Sequence, residues 1–371
     1  MNFPAVTFLV NGSSQSIEAV RARGLARRLP SDRVRFLFRE AGRFNSLRQW
    51  HTALCQNRPE LLYVLNTALP GAALAPWWRV RHGTPYILDT GDAVYSMARR
   101  SGIQAGWGLP LLWLLEQTAQ RKATAIVVRG TRHREYLLSQ GFAQVDVIRD
   151  GYGEQNLADA ESVAALRLRL GLGNQFVVGV MGSLVFSPRL GICYGWDLIH
   201  ALARLKHLPI TGLIIGDGNG RAWLEALARR LEVFERITFC GRIPYAEVPT
   251  HLRLIDVALS TQTNNLPGQV RTTGKIPEYM AAERFILASR VGEAALLLPD
   301  LMLLDYVWEV DSNYPARLAE RIQMLFSQPS LLELRRNLIR LAHRECNYDV
   351  LSNSIARMLP RFSSLSPRNT V

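Results

Sequence analysis

The stretch RTTGKIPEYMAAERFILASRVGEAALLLP, residues 271–299, reads as helix, strand and turn, and the reading of the fold turns on it. Thr272 and Thr273 are candidate N-caps, Pro277 suits a first helical turn, and Ile276, Tyr279, Met280 and Phe285 supply an apolar face, so a helix is expected from about Lys275. The first turn of a helix leaves backbone N–H groups unpaired at the positive end of the helix dipole, which favours an anion. Lys275 and Arg271 add formal positive charge at that end, and the combination describes a phosphate site. Glu278 lies about one turn further on, where a carboxylate can accept both hydroxyls of a ribose diol, so the stretch suits a nucleoside diphosphate. An ordinary capped surface helix with a Lys–Glu pair three residues apart fits the same letters.

Working outward, short apolar runs alternate with helical patterns in both directions. Before the stretch come 6–10, 34–38, 61–65, 86–88, 125–128 and 145–148 as strands, with helices expected at 17–29, 47–54 and 132–139. After Asp150-Gly151-Tyr152-Gly153 and a polar, then helical, connector over 154–175, the cycle restarts with strands at 176–181, 213–215, 237–239 and 257–259. Such alternation predicts parallel sheets covered on both faces. Three divisions follow: 1–158, 159–345, and a final segment 346–371 whose helix, 350–359, is expected to return to the first half, followed by a polar tail over 363–371. Gly12 with Ser13 and Ser14 serves either a tight strand-to-helix turn or a ligand, the turn being the simpler reading. Gly216-x-Gly218-x-Gly220 lacks the spacing of a dinucleotide fingerprint.

Ligands of parallel sheets gather beyond the carboxyl ends of the strands, so Asp89 and Asp92, after the fourth run, are expected to point into the cleft. Asp92 is the candidate for contact with an acceptor hydroxyl or for proton handling; either aspartate could instead cap a helix starting near Ala93.

At 371 residues, 48% hydrophobic and 20% charged, the chain has ordinary globular composition and room for two domains. Its +13 charge is uneven: residues 1–150 hold 20 Arg and Lys against 10 Asp and Glu, the remainder 24 against 21. A basic first half suits anionic membrane surfaces, acidic acceptors or nucleic acid, but only Lys122, Lys206 and Lys275 are lysines, which argues against a lysine-rich nucleic-acid tail. Trp77 and Trp78 beside Arg79 and Arg81, and the run from Trp107 to Leu115 with Trp107 and Trp113, suit a membrane interface, although a Leu/Trp run before Glu116 reads more readily as a core helix. Four scattered cysteines predict reduced thiols in a cytosolic protein, and scattered histidines argue against zinc. The N-terminus reads as a first strand rather than an export signal, and no run of about 18 apolar residues is present.

Taken in order, Gly182-Ser183, Tyr194-Gly195-Trp196-Asp197, LIIGDGNGRAWLEALARRL (213–231), ITFCGRIPYAEVPTHLRLIDVAL (237–259) and KIPEYMAAERFILAS (275–289) resemble the donor half of the large retaining family of GT-B glycosyltransferases, group 1 or family 4-like. Glu116 and Arg121 before AIVV (125–128), and VDVIRDGYG (145–153), resemble the end of its first half. The resemblance implies an α/β fold of two Rossmann-like domains facing across a cleft. An acceptor-side domain would span 1–158 and a nucleotide-sugar domain 159–345. Lys275 with the helix start at Gly274 and Ile276 would hold the diphosphate, Glu278 the ribose, and the backbone around Arg242 and Ile243 the base. Gly182, Gly216 and Gly218 would let backbone approach the ligand. It implies a UDP- or GDP-linked sugar as substrate, no separate cofactor and no metal. The expected partners are a saccharide or lipid-linked acceptor and, from the basic first half, an anionic membrane surface, without nucleic acid, with the protein expected in the cytoplasm or at the inner face of the membrane.

Ser183 and Tyr194 stand where the family usually carries a phosphate-binding arginine and lysine, and Val270 stands where it carries a second glutamate. Arg189 or Arg271 could replace the missing charge. The catalytic candidates are therefore Lys275, Asp92 and Arg271, with Gly182, Ser183, Arg189, Gly216, Gly218, Arg242, Ile243, Gly274, Lys275, Ile276 and Glu278 as donor-binding candidates. The competing readings are a catalytically silent subunit that binds a partner transferase and a sugar-nucleotide epimerase.

Overall fold

The computed structural model describes residues 3–102, 106–152 and 159–365. Gly153, the start of the expected connector and the end of the polar tail lie outside the described residues. Strands β1 (Val6–Val10), β2 (Val34–Phe38), β3 (Leu61–Leu65), β4 (Tyr86–Thr90), β5 (Ala125–Val128) and β6 (Val145–Val147) form one parallel sheet in the order β2-β1-β3-β4-β5-β6. A second sheet repeats the plan. Its strands are β7 (Phe176–Met181), β10 (Ile210–Ile215), β11 (Ile237–Gly241), β12 (Val257–Ser260), β13 (Phe285–Ser289) and β14 (Leu303–Leu304), in the order β11-β10-β7-β12-β13-β14. Between β7 and β10 a small hairpin, β8 (Phe186–Ser187) with β9 (Ile192–Cys193), stands apart from the sheet.

The central strands read as continuous apolar runs because both faces are covered. In the first sheet Phe8, Val10, Tyr63 and Leu65 pack under the helices Ile17–Ala26 and Tyr348–Met358. Leu9, Leu62, Val64 and Leu88 pack on the other side, under the helices Arg43–Gln56, Gly71–His82 and Gly108–Arg121. Successive strand residues point to opposite faces, so one sequence run feeds two cores.

The helix Tyr348–Met358 packs on the helix Ile17–Ala26 of the first half. Tyr152 pairs with Asn347 where the chain crosses side by side, through Tyr152 N–H to the Cys346 carbonyl at 2.9 Å and Tyr348 N–H to the Tyr152 carbonyl at 3.3 Å. Tyr348 then packs against Gly24, where a Cβ would lie 2.4 Å from the ring.

Several expectations need correction. The run after Trp107 is helical, but only Leu115 of its large apolar residues packs on the core: Trp107 is 91% and Leu111 69% exposed, and the residues the helix buries are Glu116, Ala119 and Gln120. Phe285 lies in β13, not on the helix that precedes it, because that helix, Lys275–Ala281, ends after seven residues. Asp89 does not face a cleft. It is fully buried, gripped by Arg21 Nε at 3.0 and 3.1 Å and by Tyr63 O–H at 2.7 Å, and so fixes the helix Ile17–Ala26 against β4. Neither Asp89 nor Asp92 caps the helix Val94–Ser101; the Glu116 carboxylate accepts its first two amides, Val94 at 2.7 Å and Tyr95 at 3.0 Å.

Candidate active site

In each sheet the strand order reverses beside its first strand, between β1 and β3 and between β7 and β12. At such a switch point the flanking connections leave in opposite directions and open a crevice beyond the carboxyl ends of the strands. In the second sheet that crevice is edged by Gly182 after β7 and Thr261 after β12. Lys275, first residue of its helix, reaches into it: Nζ lies 3.7 Å from the centre of the Tyr194 ring. A Cβ at residue 182 would lie 3.1 Å from the same nitrogen, so glycine there leaves the ammonium its room. Tyr194 is in turn fixed by its O–H to the Leu259 carbonyl at 2.9 Å. Position 194 thus carries the ring on which Lys275 rests.

Burial strips water from the half-buried Lys275, and Arg271 repels it; the buried Asp197 only partly offsets this, and the pKa falls to about 7. Asp197, in the first turn of the helix Trp196–Arg204, accepts from the Thr261 hydroxyl on one oxygen, while its other oxygen has no partner among the described residues. Burial raises its pKa as well. One turn after Lys275, Glu278 is buried and pushed up to about 7 by desolvation, against the hydrogen bond it accepts from Tyr245 O–H. Tyr245 was missed in the sequence; its signal was an aromatic residue closing the Arg242-Ile243-Pro244 loop. Arg242 is exposed and Ile243 packs on the second core.

The helix start differs from the expected capping. Gly274 is the N-cap and no side chain caps the turn. Thr273 Oγ1 lies 3.4 Å from Ser260 Oγ, and Thr272 Oγ1 is buried without a partner among the described residues. Ile276 N–H donates to the Thr273 carbonyl at 3.2 Å and Pro277 has no N–H, so fewer amides face an incoming anion than the first-turn argument assumes. The formal charge of Lys275 therefore matters more than the helix end.

Gly216 and Gly218 have a structural requirement that the ligand reading does not contain. A Cβ at 216 would lie 1.9 Å from the Gly182 carbonyl oxygen, and residue 216 has φ +134°, so the loop after β10 can lie against the loop after β7 only with glycine there. Gly218 would likewise place a Cβ 2.3 Å from the Leu184 carbonyl oxygen. Ser183 is exposed at this junction. Arg189, on the β8–β9 hairpin, is turned to the first half: its backbone N–H donates to the Ser101 carbonyl and its Nη1 to the Arg99 carbonyl.

Arg271 and Asp92 meet across the halves, Nε to Oδ1 at 3.1 Å. Beside them a narrow cleft is lined by Arg149, Asp150, Arg271, Thr272, Ile276 and Glu293. Glu293, 3% exposed, accepts from Thr131 N–H at 2.7 Å and from Arg149 Nη2 at 2.7 Å, and so caps a helix of the other half. His133, on that helix and unremarked in the sequence, is fully buried with neither ring nitrogen partnered among the described residues. Desolvation brings its pKa down to about 4, despite Asp92 nearby, so it is neutral at physiological pH.

Two six-stranded parallel sheets, each with its switch point, and a cationic crevice in the second define the GT-B architecture. Residues 175–328 match the family model of the group 1 glycosyl transferases. Over 192 residues the chain is 29% identical to the 2-deoxystreptamine glucosyltransferase of Streptomyces kanamyceticus. That match covers 49% of this chain and spans about half, 47%, of that relative's length. Among solved structures, Anabaena Alr3699/HepE with UDP-glucose superposes with a TM-score of 0.76 at 18% identity, over 96% of this chain and 100% of that one. The sucrose-phosphate synthase of Thermosynechococcus elongatus gives 0.75 at 16% identity, over 97% and 99%. Both share the fold. Among the described residues no helix is long and apolar enough to cross a membrane.

Proposed function

We propose that the chain is a glycosyltransferase that moves a sugar from a UDP- or GDP-linked donor to a saccharide or glycolipid acceptor, with retention and without metal, in surface polysaccharide or glycoconjugate synthesis. The observation that carries this reading is the Lys275 ammonium at the switch point of the sheet whose sequence matches the group 1 family. Two named relatives support it: a glucosyltransferase and a protein solved with UDP-glucose. The half 159–345 binds the donor, 1–158 presents the acceptor, and 346–371 ties them together, in the cytoplasm or at the inner face of the membrane.

In this reading the bond between the anomeric carbon and the diphosphate oxygen breaks, and negative charge collects on the leaving group. Lys275, with Arg271 beside it, stabilises that charge where a metal could otherwise serve. The acceptor oxygen bonds to the anomeric carbon on the face the diphosphate leaves, and its proton passes to the departing phosphate, so no protein nucleophile is required. Glu278, held by Tyr245, accepts the ribose hydroxyls. In this reading Asp92 orients Arg271 through their ion pair and contacts the acceptor hydroxyl.

A catalytically silent GT-B subunit is the second reading. It is favoured by Val270, a buried aliphatic residue where the family carries its second glutamate, and by Arg189 being turned to the first half. Purified protein screened by thermal shift against UDP, GDP, ADP and their sugar conjugates should respond selectively to one nucleotide and slowly hydrolyse the matching donor. Lys275→Ala should lower turnover by roughly a hundred-fold. A nucleotide shift without donor hydrolysis or transfer would support the silent subunit, and unchanged turnover in Lys275→Ala would remove the phosphate role.

A further inference from the structure

The helices Arg43–Gln56, Gly71–His82 and Gly108–Arg121 cover one face of the first sheet, and the short helix Val94–Ser101 packs against the last of them. Their outward surfaces are unusual in two independent ways. First, they expose large apolar side chains. Trp107, Leu111 and Leu114, spaced along one helical face, are 91%, 69% and 54% exposed; Trp113 is 47%, Trp77 48%, Val80 73% and Phe44 86% exposed. A surface helix of a monomer normally turns such a stripe inward, but here the inward positions belong to Glu116, Ala119 and Gln120. Second, the charge is of one sign. These four helices contain Arg43, Arg48, Arg79, Arg81, Arg99, Arg100 and Arg121, followed by Lys122, and their single acidic residue, Glu116, is buried under the amides it caps. Arg100 pairs with Glu309, and Arg79 donates to Lys122 and Thr124; among the described residues no carboxylate pairs with Arg43, Arg48, Arg81, Arg99 or Lys122. His82 reports the same field: desolvation first, then Arg58, Arg81 and His51, lower its pKa.

We propose that this helical face is a docking surface for an anionic lipid bilayer. Tryptophans and leucines enter the headgroup boundary while arginines around them meet lipid phosphates, a combination in which each element supplies what the other lacks. A nucleic acid would use the arginines but leave Val80, Leu111 and Leu114 in water. A second copy of the chain would bury the apolar stripe but bring like charges face to face.

Position gives the surface a use. Strand β4 ends toward the other half, the end of the helix Val94–Ser101 meets that half through the Ser101 carbonyl and Gly102 beside Arg189, and Trp107 follows five residues on, at the start of the helix Gly108–Arg121 that leads back to β5. Docking there seats the cleft mouth against the membrane, where a lipid-linked acceptor presents its hydroxyl. This gives the proposed peripheral location a place on the molecule. Vesicle binding is read on the free protein, so its failure leaves the transferase reading intact.

The test is co-sedimentation of the full chain with vesicles of phosphatidylcholine alone and of phosphatidylcholine with phosphatidylglycerol, at low and high salt. Binding is expected only to the anionic vesicles and should weaken with salt. The double variant Trp107→Ser/Leu111→Ser should lose more than about ten-fold in affinity. Arg81→Gln and Lys122→Gln should each weaken binding about five-fold. All four residues are exposed, so the melting temperature of each variant should match the parent; lipids brominated in the acyl chain should quench fluorescence in the parent and less in Trp107→Ser. No preference for anionic vesicles, full binding by the double variant, or a dimer that the same substitutions dissociate would each overturn the assignment.

Discussion

Lys275 and Glu278 titrate near the same pH from opposite directions, because burial disfavours the charged form of each. For Lys275 the groups that face it are Arg271 on the preceding loop, Asp197 on the helix Trp196–Arg204 and Tyr194 beneath it. In the proposed reading a diphosphate binds the ammonium form, so above about pH 7 binding would draw in a proton. Nucleoside diphosphate affinity is therefore expected to fall by up to about ten-fold per pH unit between pH 7 and 9. Lys275→Arg, which stays charged, should remove that slope; isothermal titration in buffers of different ionisation enthalpy measures both effects. For Glu278 the folded pKa is raised, so its contribution to stability is fully present below the unfolded value, near 4.5, and is lost as pH rises through about 7. Urea unfolding of Glu278→Gln should show a flatter decline over that window than the parent.

At the scale of elements, carboxylates distant in sequence complete helices that cannot cap themselves. Glu116 serves Val94–Ser101 and Glu293 serves Thr131–Ser139, which has Gly130 at its N-cap and no capping side chain of its own. Glu116→Ala should cost about 1 kcal/mol of stability through two lost amide acceptors. Glu293→Ala should cost more, roughly 3 kcal/mol, because it also strips a buried partner from Arg149. Denaturant titration of the two variants orders them, and equal losses would mean that the Arg149 pair contributes nothing. The caps also show what a one-dimensional reading can reach. Strand cores were legible, since β3 is apolar throughout, β7 is broken only by Gly179, and β1 and β10 are broken only by Thr7 and by Thr211 with Gly212, as befits parallel strands covered on both faces. The N-caps were not: Thr272, Thr273, Asp89 and Asp92 have the chemistry of a cap at plausible positions, yet the amides are met elsewhere or left open.

For the molecule as a whole, the halves are joined by the paired crossings at Tyr152 and Asn347, by Arg149 to Glu293 and Glu345, and by Arg271 to Asp92. A nucleotide that binds only the folded form should stabilise it by about 2.7 kcal/mol at a hundred-fold excess over its dissociation constant, measured by calorimetry. The sequence by itself determined two α/β halves, the helix start at Lys275 and the basic bias of the first half, because strand and helix periodicity and composition are local properties of the chain. Only the tertiary structure decided that Asp89 is a buried anchor, that Tyr194 carries Lys275, that Gly216 serves a loop against loop, and that the Trp107 stripe faces outward. An apolar stripe has the same period whether it meets a core or solvent, and a carboxylate's partner a hundred residues away is chosen by packing.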